Sequence, residues 1–205
     1  LDDLLGREPV ILDAEGLHTL LSNKTILITG AGGSIGSELC RQIITFKPKQ
    51  LVLFELNEFA LYSIQEEFCS KFPDIAMAFV IGDVKDESRL AQLFAQYQPT
   101  VIFHAAAYKH VPMMENNPCQ AIFTNVMGTK NLADLSIKYN VGKFVMISTD
   151  KAVNPSSVMG ASKRIAEMYV KSLQSRLDNK RTKFVTTRFG NVLGSNGSVV
   201  PLFTK

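Results

Sequence analysis

A doubly wound α/β fold built on a parallel sheet is what this sequence predicts, and three observations predict it. Six short apolar runs rich in β-branched residues recur along the chain, stretches with helical spacing lie between them, and no internal repeat or linker interrupts the alternation before Arg188. Parallel neighbours need a crossover and helices supply it, so this alternation winds a sheet with helices on both faces. With 205 residues, 46% hydrophobic and 20% charged, the chain can bury one large core, and its composition excludes disordered, collagenous and repeat classes.

The elements follow in order. Residues 1–23 read as an N-terminal arm with one short helix. Strands are expected at Thr25–Thr29, Leu51–Glu55, Ala78–Ile81, Val101–His104, Phe144–Ser148 and Phe184–Thr187, each apolar enough to be fully buried. Helical spacing joins Leu39, Ile43 and Phe46; then Phe59, Ile64 and Phe68; then Leu90, Leu93 and Tyr97; and later Ile165, Met168, Tyr169 and Leu173. The sheet-forming unit spans residues 24–187, and residues 188–205 turn irregular and rich in Gly, Ser and Asn.

Composition bounds the partners. Lys+Arg 22 against Asp+Glu 19 gives +3, with the basic residues scattered, so nucleic acid is not an expected partner while an acidic small molecule is open. Cys40, Cys69 and Cys119 lie far apart, without a C-x-x-C pair or a histidine at zinc spacing. Neither a disulfide framework nor a metal is expected, and a reducing compartment is. The first residues carry acids throughout and no apolar run of about 18, so neither a signal peptide nor a membrane span is expected within the chain. It opens without Met and is expected to be a piece of something longer.

The first strand runs into Thr29-Gly30-Ala31-Gly32-Gly33-Ser34-Ile35-Gly36, after which Glu38, Leu39 and Arg41 start a helix. Glycines at 30, 33 and 36 permit positive φ, close approach of backbone to a pyrophosphate and tight helix-on-strand packing, while the helix N-terminus offers free N–H groups to the anion. Glu55, ending the second strand, stands where an acid accepts hydrogen bonds from the adenosine ribose. A ligand-free glycine turn and a solvated strand end are the bland alternatives. Strand, turn, helix and acid together make a Rossmann-type site, and with Glu55 present and no Arg or Lys at 56–58, NAD is expected over NADP.

The spacing Gly-x-x-Gly-x-x-Gly resembles extended short-chain dehydrogenase/reductases. That resemblance places Asp83, in Gly82-Asp83-Val84, at the adenine, and lets the cofactor lie against Ala105, Ala106 and Ala107 after the fourth strand. The superfamily's usual Tyr-x-x-x-Lys pair shares one helical face. Here Met159 holds the tyrosine position, and a thioether cannot exchange a proton. Lys163 is left to bind the nicotinamide ribose. At the end of the fifth strand stand Thr149, Asp150 and Lys151, where sugar-nucleotide 4,6-dehydratases place Thr-Asp-Glu; a surface ion pair is the plainer alternative.

HAAAYKHVPMME (104–115), STDKAVNP (148–155), MGASKR (159–164) and RFGNVLGSNGSVVP (188–201) together resemble the polysaccharide-biosynthesis family of UDP-N-acetylglucosamine 4,6-dehydratases. Met159 and the opening LLGREPVILD resemble its long, membrane-anchored branch. The resemblance implies internal hydride transfer through bound NAD, with hydride leaving C4, water leaving across C5–C6 and hydride returning to C6, giving a UDP-4-keto-6-deoxy sugar. It implies Asp150 as the acid for the 6-hydroxyl, Lys151 in place of the glutamate that takes the C5 proton, Lys109 near the cofactor and Val192 near the nicotinamide. Asn191, Asn196, Gly197, Ser198, Val199 and Val200 would meet the UDP-sugar, in a substrate lobe (188–205) expected to continue past Lys205. His110 and Glu115 match the family as loop-shaping residues. A homo-oligomer is expected, and a cytoplasmic domain whose parent is anchored to the inner membrane upstream of Leu1. Two other readings stay open: a UDP-sugar 4-epimerase, and a non-catalytic dinucleotide-binding module.

Overall fold

A computed structural model describes residues 13–176, 181–190 and 192. Its centre is a six-stranded sheet of β1 (Thr25–Thr29), β2 (Gln50–Glu55), β3 (Met77–Ile81), β4 (Val101–His104), β5 (Lys143–Thr149) and β6 (Lys183–Phe189). The order is β3-β2-β1-β4-β5-β6 and every neighbouring pair is parallel. β1 and β4 have the expected bounds. The other four begin one residue earlier, and β6 carries extended backbone through Phe189, two residues into the stretch expected to be irregular.

Alternate strand residues feed two cores, as the period of a strand requires. Leu27, Val52, Phe54 and Ile102 face α4 (Glu87–Tyr97), α7 (Gly128–Lys138) and α8 (Val158–Leu173) through Leu90, Phe94, Leu132, Val170 and Leu173. Ile26, Ile28, Leu51 and Leu53 face α1 (Ala14–Leu21), α2 (Ser34–Ile44) and α3 (Glu58–Lys71) through Leu21, Cys40, Ile44, Ile64 and Phe68. Between β4 and α7 the chain forms α5 (Val111–Asn116), α6 (Pro118–Ala121) and a π-helical turn (Ile122–Met127) that no apolar periodicity announces. No helix among the described residues is long and apolar enough to cross a membrane.

Two expectations fail here. Only the four inner strands are essentially buried; β3 is largely half-buried and β6 largely exposed, each being an edge strand that lacks a neighbour on one side. Phe59, Ile165 and Met168 have helical spacing yet lie 73, 47 and 59% exposed, so those helices bury narrower stripes than periodicity suggests.

Candidate functional site

The order reverses between β1 and β4, and ligands of doubly wound sheets bind at the carboxyl ends of strands beside such a reversal. The glycine loop sits there. Gly30 has φ +68°, and a Cβ on it would press within 2.6 Å of the Ala106 backbone nitrogen. A Cβ on Gly36 would collide with the Gly30 carbonyl. Of the three glycines only Gly30 takes positive φ: Gly33 is the extended N-cap of α2, with φ −74°, and Gly36 is helical. The glycines serve three needs, a left-handed turn, an open cap and close packing. Asp13, Asn57, Asp86 and Ser157 cap α1, α3, α4 and α8 through their side chains, whereas α2 has no side-chain cap. The first turn of α2, at Ser34, Ile35 and Gly36, is thereby fitted to an anion.

Around the loop, the strand ends converge. Glu55 Oε2 accepts from the Gly32 N–H at 3.0 Å, and Oε1 accepts from the Leu56 and Asn57 N–H groups at 2.9 Å, so the carboxylate ties the loop to the turn after β2. Asp83 accepts from the Lys85 N–H at 2.9 Å and pairs with the Lys85 ammonium at 3.2 Å, while Val84 packs into the core. Ala105 and Ala106 run beside Gly30, Ala107 follows half-buried, and Lys109 is exposed on the same segment.

His104 links loop to helix from beneath. It is buried, with Nδ1 2.7 Å from Thr29 Oγ1 and Nε2 2.9 Å from Thr129 Oγ1. Thr129 donates its proton to the Asn125 carbonyl at 2.7 Å, so it can only accept from Nε2–H, and Nδ1 is left to accept from Thr29. Burial, reinforced by the Lys163 charge, lowers the imidazole pKa to about 3, consistent with this neutral tautomer. Asn125, in the π-helical turn, holds the Tyr108 N–H and carbonyl and donates to Ser162 Oγ at 2.9 Å.

On the far side of the reversal, β5 ends at Thr149 and a 3₁₀ turn (Asp150–Ala152) leads towards α8. Thr149 donates to Asp150 Oδ1 at 2.9 Å, and Lys151 Nζ donates to the same oxygen at 3.2 Å. The hydroxyl first, then the ammonium, hold the exposed Asp150 carboxyl below its ordinary range. Lys163 is 4% exposed and its Nζ donates to the Ile147 carbonyl at 2.7 Å; burial lowers its pKa to about 8. Met159 is buried beside Met114 and Ala121. Glu115 accepts from the Val158 N–H at 2.8 Å, bracing the start of α8, and Gly160 lets that helix meet the Lys151 carbonyl, where a Cβ would collide.

Thr149, Asp150, Lys151 and Lys163 therefore stand on adjoining elements of the edge that carries the glycine loop. Val192 is 38% exposed, and Asn191, Asn196, Gly197, Ser198, Val199 and Val200 lie outside the described residues. Sequence reasoning missed His104, Asn125 and Glu167 as members of this site, because their partners are distant in the chain. A cavity of about 480 Å³ lies at the opposite edge of the sheet, lined by Lys24, Lys143, Arg181 and Lys183. It is remote from these groups, near the C-terminal ends of α1, α4 and α7, where helix dipoles favour cations.

The profile of a polysaccharide biosynthesis protein family matches residues 26–205. The capsular polysaccharide biosynthesis protein CapD of Staphylococcus aureus is 54% identical over 203 residues, covering 98% of this chain and 34% of that protein. A UDP-N-acetylglucosamine 4,6-dehydratase (inverting) of Campylobacter jejuni is 38% identical over 187 residues, covering 91% of this chain and 54% of its own length. A protein named UDP-glucose 4-epimerase also matches, at 36% identity. Among solved structures, the Bordetella bronchiseptica enzyme WbmH in complex with NAD+ superposes with a TM-score of 0.70 at 25% identity, over 88% of this chain and 61% of that one. The chain thus spans about a third to a half of the length of these curated relatives.

Proposed function

The chain belongs to the polysaccharide biosynthesis protein family, and from that membership we propose that it is the dinucleotide-binding part of a nucleotide-sugar 4,6-dehydratase. The substrate is UDP-N-acetylglucosamine or a close UDP-N-acetylhexosamine, and the product a UDP-4-keto-6-deoxy sugar for surface glycan synthesis. The observation that carries this is the meeting of an anion-ready glycine loop with Thr149, Asp150, Lys151 and buried Lys163 at one sheet edge.

NAD fits the site. The uncapped start of α2 suits the pyrophosphate, Gly30 makes the left-handed turn that seats the loop against Ala106, and Glu55 stands at the ribose with no adjacent cation for a 2′-phosphate. Bound NAD supplies a hydride acceptor that is regenerated within each turnover. Asp83 lies towards the adenine, Lys163 holds the nicotinamide ribose, and Lys109 and Val192 flank the cofactor. Asn191, Asn196, Gly197, Ser198, Val199 and Val200 belong to the start of the UDP-sugar lobe.

Asp150 protonates the departing 6-hydroxyl, and Lys151 removes the C5 proton. As the exposed pair stands, the acid is ionised, which is the wrong state for a proton donor. One proton shift across the 3.2 Å between Lys151 Nζ and Asp150 Oδ1 makes both the neutral amine and the protonated carboxyl. Substrate covering the pair favours that neutral form, because desolvation penalises both charges. Thr149 fixes the Asp150 oxygen for the transfer, and Met159 fills space.

The test is the proton NMR spectrum of UDP-N-acetylglucosamine incubated with the full-length protein. Loss of the C6 hydroxymethyl signals and growth of a methyl signal are expected. Appearance of UDP-N-acetylgalactosamine would instead make it a 4-epimerase, and unchanged substrate beside bound NAD would make it a non-catalytic module.

A further inference from the structure

One buried carboxylate on the catalytic helix takes no part in the chemistry above. Glu167 lies one turn beyond Lys163 on α8 and is 5% exposed. Arg188 of β6 clamps it in two bonds, Nε to Oε1 at 2.9 Å and Nη2 to Oε2 at 2.6 Å, and Arg164 Nη1 stands 3.5 Å from Oε2. The buried Ser148 hydroxyl lies near this carboxylate without a hydrogen bond of good geometry. Apolar residues of similar volume hold a helix on a strand as well as a buried ion pair does. What they lack is a fixed negative charge next to Lys163.

Lys163 needs one. Its ammonium is buried against an uncharged partner, the Ile147 carbonyl, in a place that favours loss of the proton. Glu167 supplies the opposing attraction. Several charged or titratable groups on the elements packed against α8 are held by other partners. His104 of β4 is hydrogen-bonded to two threonines, and Asp150 and Lys151 pair with each other on the turn. Glu115 of α5 caps Val158, and Asp134 of α7 is held by Lys130, Tyr169 and Arg176.

Resting on the reading that Lys163 holds the dinucleotide, we propose that Glu167, clamped by Arg188, is a positioning residue that keeps the Lys163 side chain in its ammonium form at the cofactor edge. The clamp also joins the catalytic helix to the strand that leads towards Asn191, so the charge at Lys163 and the base of the substrate segment share one support.

Carbon NMR of lysine labelled at Cε follows the titration of Lys163 without cofactor, its signal assigned by loss in Lys163→Met. Glu167→Gln should lower the Lys163 midpoint by about one pH unit. Arg188→Gln, which removes a cation behind the carboxylate, should raise it. Should Glu167→Gln fail to fold, Glu167→Asp keeps the charge at a greater distance and should give a smaller downward shift. A clamp that only fastens α8 to β6 would lower thermal stability in these variants and leave the midpoint unmoved, which overturns the proposal. NAD titration adds a separate readout: at about pH 7.5, Glu167→Gln should bind about threefold more weakly as the ammonium fraction falls. A wild-type protein that binds no NAD would sink the proposed function, while the lysine titration would still decide the role of Glu167.

Discussion

His104 shows how much of this site rests on one residue that does no chemistry. Its hydrogen bonds to Thr29 and Thr129 join residues 75 and 25 positions away, fixing the end of β1 against α7. The folded-state pKa near 3 lies below the ordinary 6.5, so the neutral ring contributes stability that is full above about pH 6.5 and is lost as pH falls towards 3. One proton over that window costs about 2 kcal/mol between pH 7 and pH 5. Glu67, held down to about 2 chiefly by Arg41, also loses stability as pH falls, but between about 4.5 and 2, so the interval from pH 7 to pH 5 reports on His104 and not on Glu67. Urea denaturation at pH 7 and pH 5 should show the loss in the wild type and a flatter dependence in His104→Asn. Equal slopes in both proteins would place the acid sensitivity elsewhere.

At the scale of elements, α8 is the part on which most of the site depends, and Gly160 decides where it lies. A side chain there meets the Lys151 carbonyl and Pro155 Cβ, so Gly160→Ala must push the helix away from the turn that carries Asp150 and Lys151. The expected cost is about 1–3 kcal/mol of overpacking, together with loss of the proposed dehydratase activity out of proportion to the loss of melting temperature. Activity and stability falling in step would mean the turn follows the helix. The sequence makes β1 to β6 legible because buried parallel strands read as continuous apolar runs, and it makes the glycine loop legible because its requirements are local. The exposure of β3 and β6 is hidden, since a run does not say whether it has one neighbour or two. The π-helical turn is hidden as well: Asn125 is set by Tyr108 and Ser162, which no period in the sequence connects. Glu167 escapes for the same reason, its partner Arg188 lying 21 residues on in another element.

For the molecule as a whole, the parallel sheet divides the labour between its two edges, with carboxyl ends and helix starts gathered at one and cations with helix ends at the other. Neither edge accounts for the large apolar side chains left outside the two cores. The π-helical turn and α8 pack against one another, and both expose such residues: Ile122, Phe123 and Met127 on the first, Ile165 and Met168 on the second. Scattered apolar side chains are ordinary on a protein surface, but five large ones on two abutting helical segments suit burial against another copy. The expected homo-oligomer would take this face, leaving the candidate site open because Asp150, Lys151 and the glycine loop lie at the sheet edge. Phe123→Glu combined with Met168→Glu should convert a sedimenting dimer or larger assembly to monomer, while NAD affinity stays within about twofold, since both changes fall on the π-helical turn and α8 and leave the glycine loop and the start of α2 intact. A wild-type protein that sediments as a monomer at every concentration tested would remove the reason for this face to be apolar.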